Sequence, residues 1–371
     1  MKQFVLPILV AAMCVVASCS KSDLALETSG DEMSLSPVSY RSSTKAAIQN
    51  NVFPNTDHIS LFAYHNPAKK PTTEEITDFT GYVSYLNDTE FFYNTESPND
   101  KEGTIAWTGL NSVYYWPITG SLVFAGYSLP SPKDEDGNIL QEGARVSSGK
   151  IGNATYDLAT DVLQIKNYVQ SANTAETFDL LYFGCDRKSY NNRREGTAVA
   201  IIFNHALAWV TFNVAGGSGA LMDGHVWKIT NLTLKDVQTK GDFTNDGNPD
   251  EGEKSVTWDL KDVKANMKFF EGSQELTDRL AKIENVNGGN VVIPQAPTLL
   301  SVTIEYKAPA GTLITETFDI DLSLGEGVIW EAGKHYVYNL TFSPVEIKVA
   351  PEVNAWPTTG EDGYVETDKQ F

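Results

Sequence analysis

The feature that most restricts the fold of this chain is a long succession of short runs rich in β-branched and aromatic residues. Ile59–Tyr64, Leu122–Tyr127 and Phe178–Phe183 are such runs, and stretches rich in Gly, Asn, Asp and Pro separate them. Short runs bounded by turn-forming residues are typical of β-strands. Only Gln274–Asn285 has the apolar spacing of a short helix. The sequence therefore predicts a mostly β protein.

The 371 residues are enough for two domains, each with its own core. A polar, basic segment from Asp186 to Gly196 interrupts the strand pattern, which begins again at Val199. We therefore expect a domain boundary near residue 195. This boundary predicts an N-terminal β-sandwich over residues 46–195 and a C-terminal β-sandwich over residues 196–371.

The first residues predict export. Met1 and Lys2 precede an apolar run from Phe4 to Ala17 that is too short to span a bilayer and has the length of a signal-peptide core. The run ends in Val16-Ala17-Ser18-Cys19, which resembles the lipobox of bacterial lipoproteins. That resemblance implies a signal peptide over residues 1–18, a lipid such as palmitate on Cys19 and delivery to the cell outer membrane.

The segment after the lipid site, residues 19–45, is predicted to be a tether followed by a removable edge strand. Polar and apolar residues alternate over residues 33–41, and the alternation changes parity at Pro37. A proline restricts a strand to the edge of a sheet or to a bulge. Two basic residues, Arg41 and Lys45, follow at the end of the predicted strand.

Composition argues against several functions. The net charge of −20 is opposite to the clustered Lys and Arg that nucleic-acid binding needs. Of the three cysteines, Cys14 leaves with the signal peptide and Cys19 carries the lipid, so Cys185 has no partner for an intramolecular disulfide. The sequence contains no nucleophile elbow, phosphate loop or dinucleotide fingerprint. We therefore expect neither an enzyme nor a cofactor.

The sequence also predicts no metal site. The five histidines are scattered, and His205 is expected to be a hydrogen-bonded structural residue. Residues 246–253 alternate oxygen-bearing side chains as calcium loops do, but Glu251 stands where an EF-hand needs glycine and Thr257 where it needs a carboxylate. The same residues suit a solvated hairpin turn, which is the interpretation that we favour.

Several motifs, in order, resemble those of the fimbrillin-like lipoproteins. In that family's pattern an aromatic-Trp-Pro motif precedes an "FxAY" strand, and here Gly126 replaces its alanine. Two segments at the domain junction follow, then a strand that begins near a Pro-Gln pair, and then a hairpin that contains Gly-Lys-x-Tyr. The matching segments here are Tyr114–Pro117, Leu122–Tyr127, Asp179–Tyr182, Val199–Ala208, Val292–Gln295 and Trp330–Leu340.

The resemblance implies a subunit of the type V pili of Bacteroidia, built from two tandem transthyretin-like β-sandwich domains. In that family a trypsin-like protease cuts the lipidated precursor after Arg or Lys, and a strand of the next subunit fills the groove left behind. Lys45 is the first choice for the cut because Lys45-Ala46-Ala47 resembles the family's junction, and Arg41 is the second. The alternative is a basic pair that is never cut.

The C-terminal tail, residues 343–371, could supply the donor strand of a stalk or adaptor subunit, or could pair with its own domain. The leading hypothesis is a structural subunit of a surface fimbrium that supports adhesion. Its partners would be other pilin subunits, the outer membrane through the lipid, and a host or bacterial surface ligand. The competing hypothesis is a lipid-anchored glycan- or host-binding protein that never polymerises. Its support would be exposed aromatic side chains at Trp107, Trp116 and Trp227, although we expect these three residues in the core.

Overall fold

The computed structural model describes residues 28–33, 35–39, 57–70, 76–93, 107–110, 113–130, 151–173, 177–190, 199–217, 225–246, 255–283, 291–307, 310–323, 327–343 and 347–355. Within these ranges every regular element is a β-strand, which confirms the predicted class. None of the described residues belongs to a helix that is long and apolar enough to cross a membrane.

A seven-stranded sheet forms the centre of the N-terminal half. Numbered along the chain and given in spatial order, its strands are β2 (Leu35–Ser39), β11 (Val199–His205), β10 (Leu181–Tyr190), β7 (Ser121–Leu129), β3 (His58–Asn66), β4 (Val83–Tyr93) and β5 (Trp107–Gly109). Alternation along β3 directs Phe62 to one face and Ile59 and Leu61 to the other, and all three are buried. Both faces of the sheet are therefore covered.

The face that carries Phe62 packs against a four-stranded sheet and so forms a β-sandwich. In spatial order the strands of this second sheet are β15 (Ser255–Leu260), β14 (Lys240–Asp246), β9 (Val162–Val169) and β8 (Ala154–Asp157). Its side chains Leu163, Ile165 and Phe243 are buried in the same cluster as Phe62. The opposite face of the seven-stranded sheet is covered by the N-terminal segment and by Trp107 and Trp116.

Two further sheets form the C-terminal sandwich. One consists of β17 (Ala281–Lys282), β12 (Ala208–Gly216), β21 (Lys334–Phe342) and β22 (Ile347–Ala355), with β18 (Val291–Val292) also paired to β12. The other consists of β16 (Lys264–Glu275), β13 (Val226–Gln238), β19 (Leu299–Lys307) and β20 (Ile314–Asp321). The core between them is rich in aliphatic residues and contains the stacked rings of Phe212 and Tyr338.

Strand pairing crosses the boundary predicted near residue 195. That position lies between β10 and β11, which pair directly, with Leu181 opposite His205. The β14–β15 hairpin comes from the C-terminal half of the chain, yet β14 pairs with β9 of the N-terminal half. The N-terminal sandwich is therefore built from both sides of residue 195.

The helix expected over residues 274–285 is absent from the described part of that range, so this prediction is wrong. Gln274 and Glu275 end β16, and the backbone N–H of Leu276 donates to the carbonyl of Trp227 on the next strand. The N–H of Ile283 likewise donates to the carbonyl of Phe212. Helical spacing put Leu276 and Ile283 into the core, but neighbouring strands satisfy the backbone groups instead.

The chain passes from one sandwich to the other through a buried, hydrogen-bonded junction. His205, at the end of β11, lies 2.7 Å from the Asp179 carboxylate through its Nδ1 atom, and both side chains are buried. The indole N–H of Trp258 donates to the carbonyl of Ala206 at 2.9 Å. His205 is thus the hydrogen-bonded structural residue that the sequence predicted.

Candidate functional site

The candidate site is the groove that β2 occupies. β2 forms one edge of the seven-stranded sheet and pairs with β11 in parallel, from Leu35 opposite Val199 to Ser39 opposite Phe203. Pro37 lies in the middle of the strand, opposite Ile201. A proline has no N–H to donate, and an edge strand tolerates it because one side needs no partner. The described strand therefore lies within the range that sequence alternation indicated.

Two side chains anchor the N-terminal segment in the groove. Met33 and Leu35 are fully buried, and they share a cluster with Ile201, Phe203 and Trp116. The backbone N–H of Met33 also donates to the carbonyl of Tyr114 at 2.8 Å. Aromatic contacts shape the floor of the groove. Without residues 28–39 this floor would face solvent.

A short strand pair extends the cover beyond Met33. β1 (Thr28–Glu32) pairs antiparallel with β6 (Tyr115–Pro117), with Thr28 opposite Pro117 and Glu32 opposite Tyr115. The motif Tyr114–Pro117, which the sequence singled out, therefore contacts the N-terminal segment directly. Loss of the segment would leave backbone groups of both β6 and β11 without these partners.

The residues predicted to carry the lipid and the cut, Cys19, Arg41 and Lys45, lie outside the described residues. β2 ends at Ser39, so both basic residues follow the strand closely in sequence. A cut at either position would leave β2 on the released side.

The C-terminal tail pairs with its own domain where the structure describes it. β22 runs antiparallel to β21, from Ile347 opposite Phe342 to Ala355 opposite Lys334. Of the two alternatives for the tail, this arrangement is self-pairing. Its core contacts are few, because Ile347 and Val349 are only partly buried and residues 350–354 are exposed.

The described residues contain no group of three or more His, Cys, Asp or Glu side chains placed to hold a metal. His58 is engaged by Glu90 at 2.5 Å, and His65 Nε2 lies 2.8 Å from the carbonyl oxygen of Thr119. Asp246 pairs with Ser255 across the β14–β15 hairpin, while the rest of the 246–253 loop lies outside the described residues.

Sequence reasoning missed two glutamines that join the sheets. The Gln295 amide donates to the carbonyls of Gln238 and Ile293, and its oxygen accepts from the N–H of Gln238. Gln170 bonds both Val291 and Ile293 in the same way. The Pro-Gln pair had singled out Gln295 without a reason, and nothing in the local pattern distinguishes Gln170 from a surface glutamine.

The chain is similar to one family model and to several proteins of known structure. A family model described as fimbrillin-like matches residues 44–356. A fimbrial protein from Bacteroides vulgatus has a similar fold, with a TM-score of 0.53 at 14% sequence identity over 87% of this chain and 99% of that one. The tip fimbrial protein Mfa3 from Porphyromonas gingivalis aligns at 8% identity with a TM-score of 0.32, over 87% of this chain and 99% of that one. No sequence among the curated proteins matches this chain.

Proposed function

Because the chain belongs to the fimbrillin-like family of fimbrial structural subunits, which are not enzymes, we propose that it assembles into its fimbrium by proteolysis-triggered strand exchange. The chain is exported as a precursor anchored in the outer membrane by a lipid on Cys19. Cleavage after Lys45 releases residues 19–45 and cleavage after Arg41 releases residues 19–41, and either segment includes β1 and β2. A strand from the next subunit then enters the vacated groove, and the fibre supports adhesion.

The observation that carries the proposal is the position of β2 at a sheet edge, with the buried side chains of Met33 and Leu35 holding the segment in place. Burial of a side chain such as Met33 or Leu35 contributes about 1.5–3 kcal/mol, and each ladder hydrogen bond contributes about 1 kcal/mol. An intact β2 is therefore held firmly and blocks the groove. After cleavage its departure exposes apolar floor and unpaired backbone, which an incoming strand can restore by β-augmentation.

The tail is the best donor that the chain offers. β22 has two partly buried apolar residues, Ile347 and Val349, at one end, and residues 350–354 are exposed. The described part of β22 therefore buries little apolar surface that would be lost when the strand leaves β21. The low burial of β22 supports a role in which it exchanges its own domain for the groove of a neighbour.

The first experiment tests the trigger. Arg41→Ala combined with Lys45→Ala should stay monomeric on trypsin treatment, whereas the natural chain should form detergent-resistant multimers on gels. Lys69→Ala combined with Lys70→Ala is the matched control, since it removes two basic residues from the surface around β3 and should not prevent assembly. Multimers from the Arg41/Lys45 variant would refute strand removal as the trigger.

The second experiment tests the anchor and the donor separately. Cys19→Ala should abolish labelling with a palmitate analogue, and deletion of residues 343–371 should block multimer growth after a normal cut. If the truncated chain polymerises as well as the full chain, the donor strand lies elsewhere.

The three tryptophans that would support the alternative, a non-polymerising glycan-binding protein, are not exposed. Trp107 and Trp116 are buried in the cluster under the N-terminal segment, and Trp227 is half-buried with its ring stacked on Tyr306. No exposed tryptophan platform remains among these three residues.

A further inference from the structure

The C-terminal sandwich is open on the side where β20 and β22 lie. Phe212 of β12 packs edge-on against Phe269 of β16, with 5.5 Å between ring centroids. The hydroxyl of Tyr338 on β21 donates to the carbonyl of Leu322, just after β20, at 3.1 Å. The two sheets therefore stack with β12 over β16 and with β21 towards β20. Their edge strands β22 and β20 consequently lie on the same side.

Core-facing apolar side chains remain exposed along this open side. Phe318 of β20 is opposite the buried Val302, so it points to the core face, yet it is 37% exposed. Ile314, on the same face of β20, is 42% exposed. Val353 of β22 is opposite the buried Tyr336 and is 54% exposed. At the other edge of the same sandwich, Met267 and Phe269 of β16 are buried and Phe270 is partly buried.

The backbone edge of β20 is also available. Within the described chain β20 is the last strand of its sheet, and its pairing with β19 has no bulge from Leu299 to Tyr306. Protein sheets usually protect an edge with proline, lysine, a bulge or an inward-pointing charge. β20 contains no proline, lysine or bulge, and its one such feature is Glu316, which lies opposite the buried Ile304 and therefore on the core face. An extended segment can therefore add to β20 if its cations compensate Glu316.

The charges around the open side select the occupant. Glu316 lies on the core face of β20 between Ile314 and Phe318, Asp319 and Asp321 lie on its other face, all three are exposed, and β20 contains no Lys or Arg. Pairing of two copies through β20 would bring like carboxylates together, and this chain already carries a net charge of −20. Residues 356–371 contain four carboxylate side chains and one lysine, so the chain's own C-terminus is repelled as well. The site favours a cationic strand from another protein.

We propose that this open side, defined by Ile314 and Phe318 of β20, binds an extended segment of another protein in which apolar residues alternate with Lys or Arg. The segment adds to β20 as a further strand, places its apolar side chains beside Phe318, and meets the carboxylates of β20 with its cations. This surface lies on β20, apart from both the groove of β2 and the donor strand β22, so the proposal is independent of strand exchange.

The test uses the full chain and two synthetic peptides of identical length that alternate valine with either lysine or glutamate. Fluorescence anisotropy should detect binding of the lysine peptide, with the glutamate peptide at least about tenfold weaker. Hydrogen exchange should slow in Ile314–Asp321 on binding. Phe318→Ser should weaken binding by about tenfold or more, whereas Val83→Ser, which changes an exposed valine on β4, should not.

Glu316→Gln combined with Asp319→Asn should remove most of the preference for lysine over glutamate while β20 remains folded. The proposal is overturned if the lysine peptide does not bind, if both peptides bind equally, or if the new protection appears away from β20. Unchanged binding by Phe318→Ser would also overturn it.

Discussion

Close packing explains why Gly126 stands where the strand motif of the family has alanine. A Cβ atom at Gly126 would lie 2.2 Å from the carbonyl oxygen of Ser60 and 2.6 Å from Cε1 of Phe183. The backbone of β3 and the ring of Phe183 together occupy the space that alanine would need. The replacement of alanine by Gly126 is therefore a consequence of close packing between β3 and β7.

Gly126→Ala should accordingly destabilise the fold by about 1–3 kcal/mol, the usual cost of overpacking. The measurement is the urea midpoint of the purified chain. Gly217→Ala is the control, because its new methyl group would meet its nearest neighbour, a Thr341 methyl, at 3.1 Å. Equal midpoints for the natural chain and Gly126→Ala would show that β3 and β7 are further apart than described.

His335 should make the stability of the fold depend on pH. Burial, followed by the charge of Lys282, lowers its pKa to about 3, and its ring stacks on Trp209 at 3.6 Å. The unfolded chain binds a proton at this residue below pH of about 6.5, whereas the folded chain does not. Stability is thus unaffected above that pH and falls as the pH drops from about 6.5 towards 3, by at most about 1.4 kcal/mol per pH unit.

His335→Gln should therefore show a shallower loss of stability between neutral and acidic pH than the natural chain. Thermal unfolding at a series of pH values gives the slope. His225→Gln, at a half-buried position just before β13, is the matched control and should keep the natural slope. An unchanged slope in His335→Gln would mean that another group accounts for acid sensitivity.

Among the elements, β2 illustrates what sequence could and could not predict. Alternation and Pro37 indicated an edge strand, because both effects are local. The parallel direction of pairing with β11 depends on a partner more than 160 residues away, and no local pattern encodes that. The same limitation explains the wrong helix at residues 274–285, where long-range strand contacts overrode local spacing.

Leu35→Ala should loosen β2 by about 2–5 kcal/mol, since it removes a fully buried side chain. Hydrogen exchange in Val199–Phe203 of β11 should speed up in the uncut chain. Val263→Ala, at a surface position 45% exposed, should leave that exchange rate unchanged. Equal protection of β11 in all three proteins would contradict the anchoring role of Leu35.

At the scale of the whole molecule, the sequence predicted the β class and the family but not how the halves interlock. The boundary near residue 195 was inferred from a polar segment, and polarity marks a connection without revealing which sheet the next strand joins. Pairing of β11 with β10 and of β14 with β9 unites the two sides of that segment. Gln170 reinforces the union, because its side-chain amide bonds Val291 and Ile293 from the other side of that segment.

A chain cut between residues 192 and 193 at an inserted protease site should therefore remain one particle. Size-exclusion chromatography should show both fragments eluting together in native buffer and separating only in denaturant. Fragments comprising residues 46–192 and 193–371 that elute as two separately folded species would refute the interlocked arrangement.

The interlocked hairpin also dictates the order in which the molecule can fold. A chain leaves a ribosome or an export channel N-terminus first, and β14 and β15 emerge only after some 240 residues have preceded them. Until then the seven-stranded sheet is not fully covered over Phe62 and Tyr182, so the nascent chain exposes apolar surface. Long-range pairing of this kind is slow. Cells that make this protein should consequently need a chaperone to shield the growing chain, and loss of that chaperone should cause aggregation before any defect in the mature protein appears.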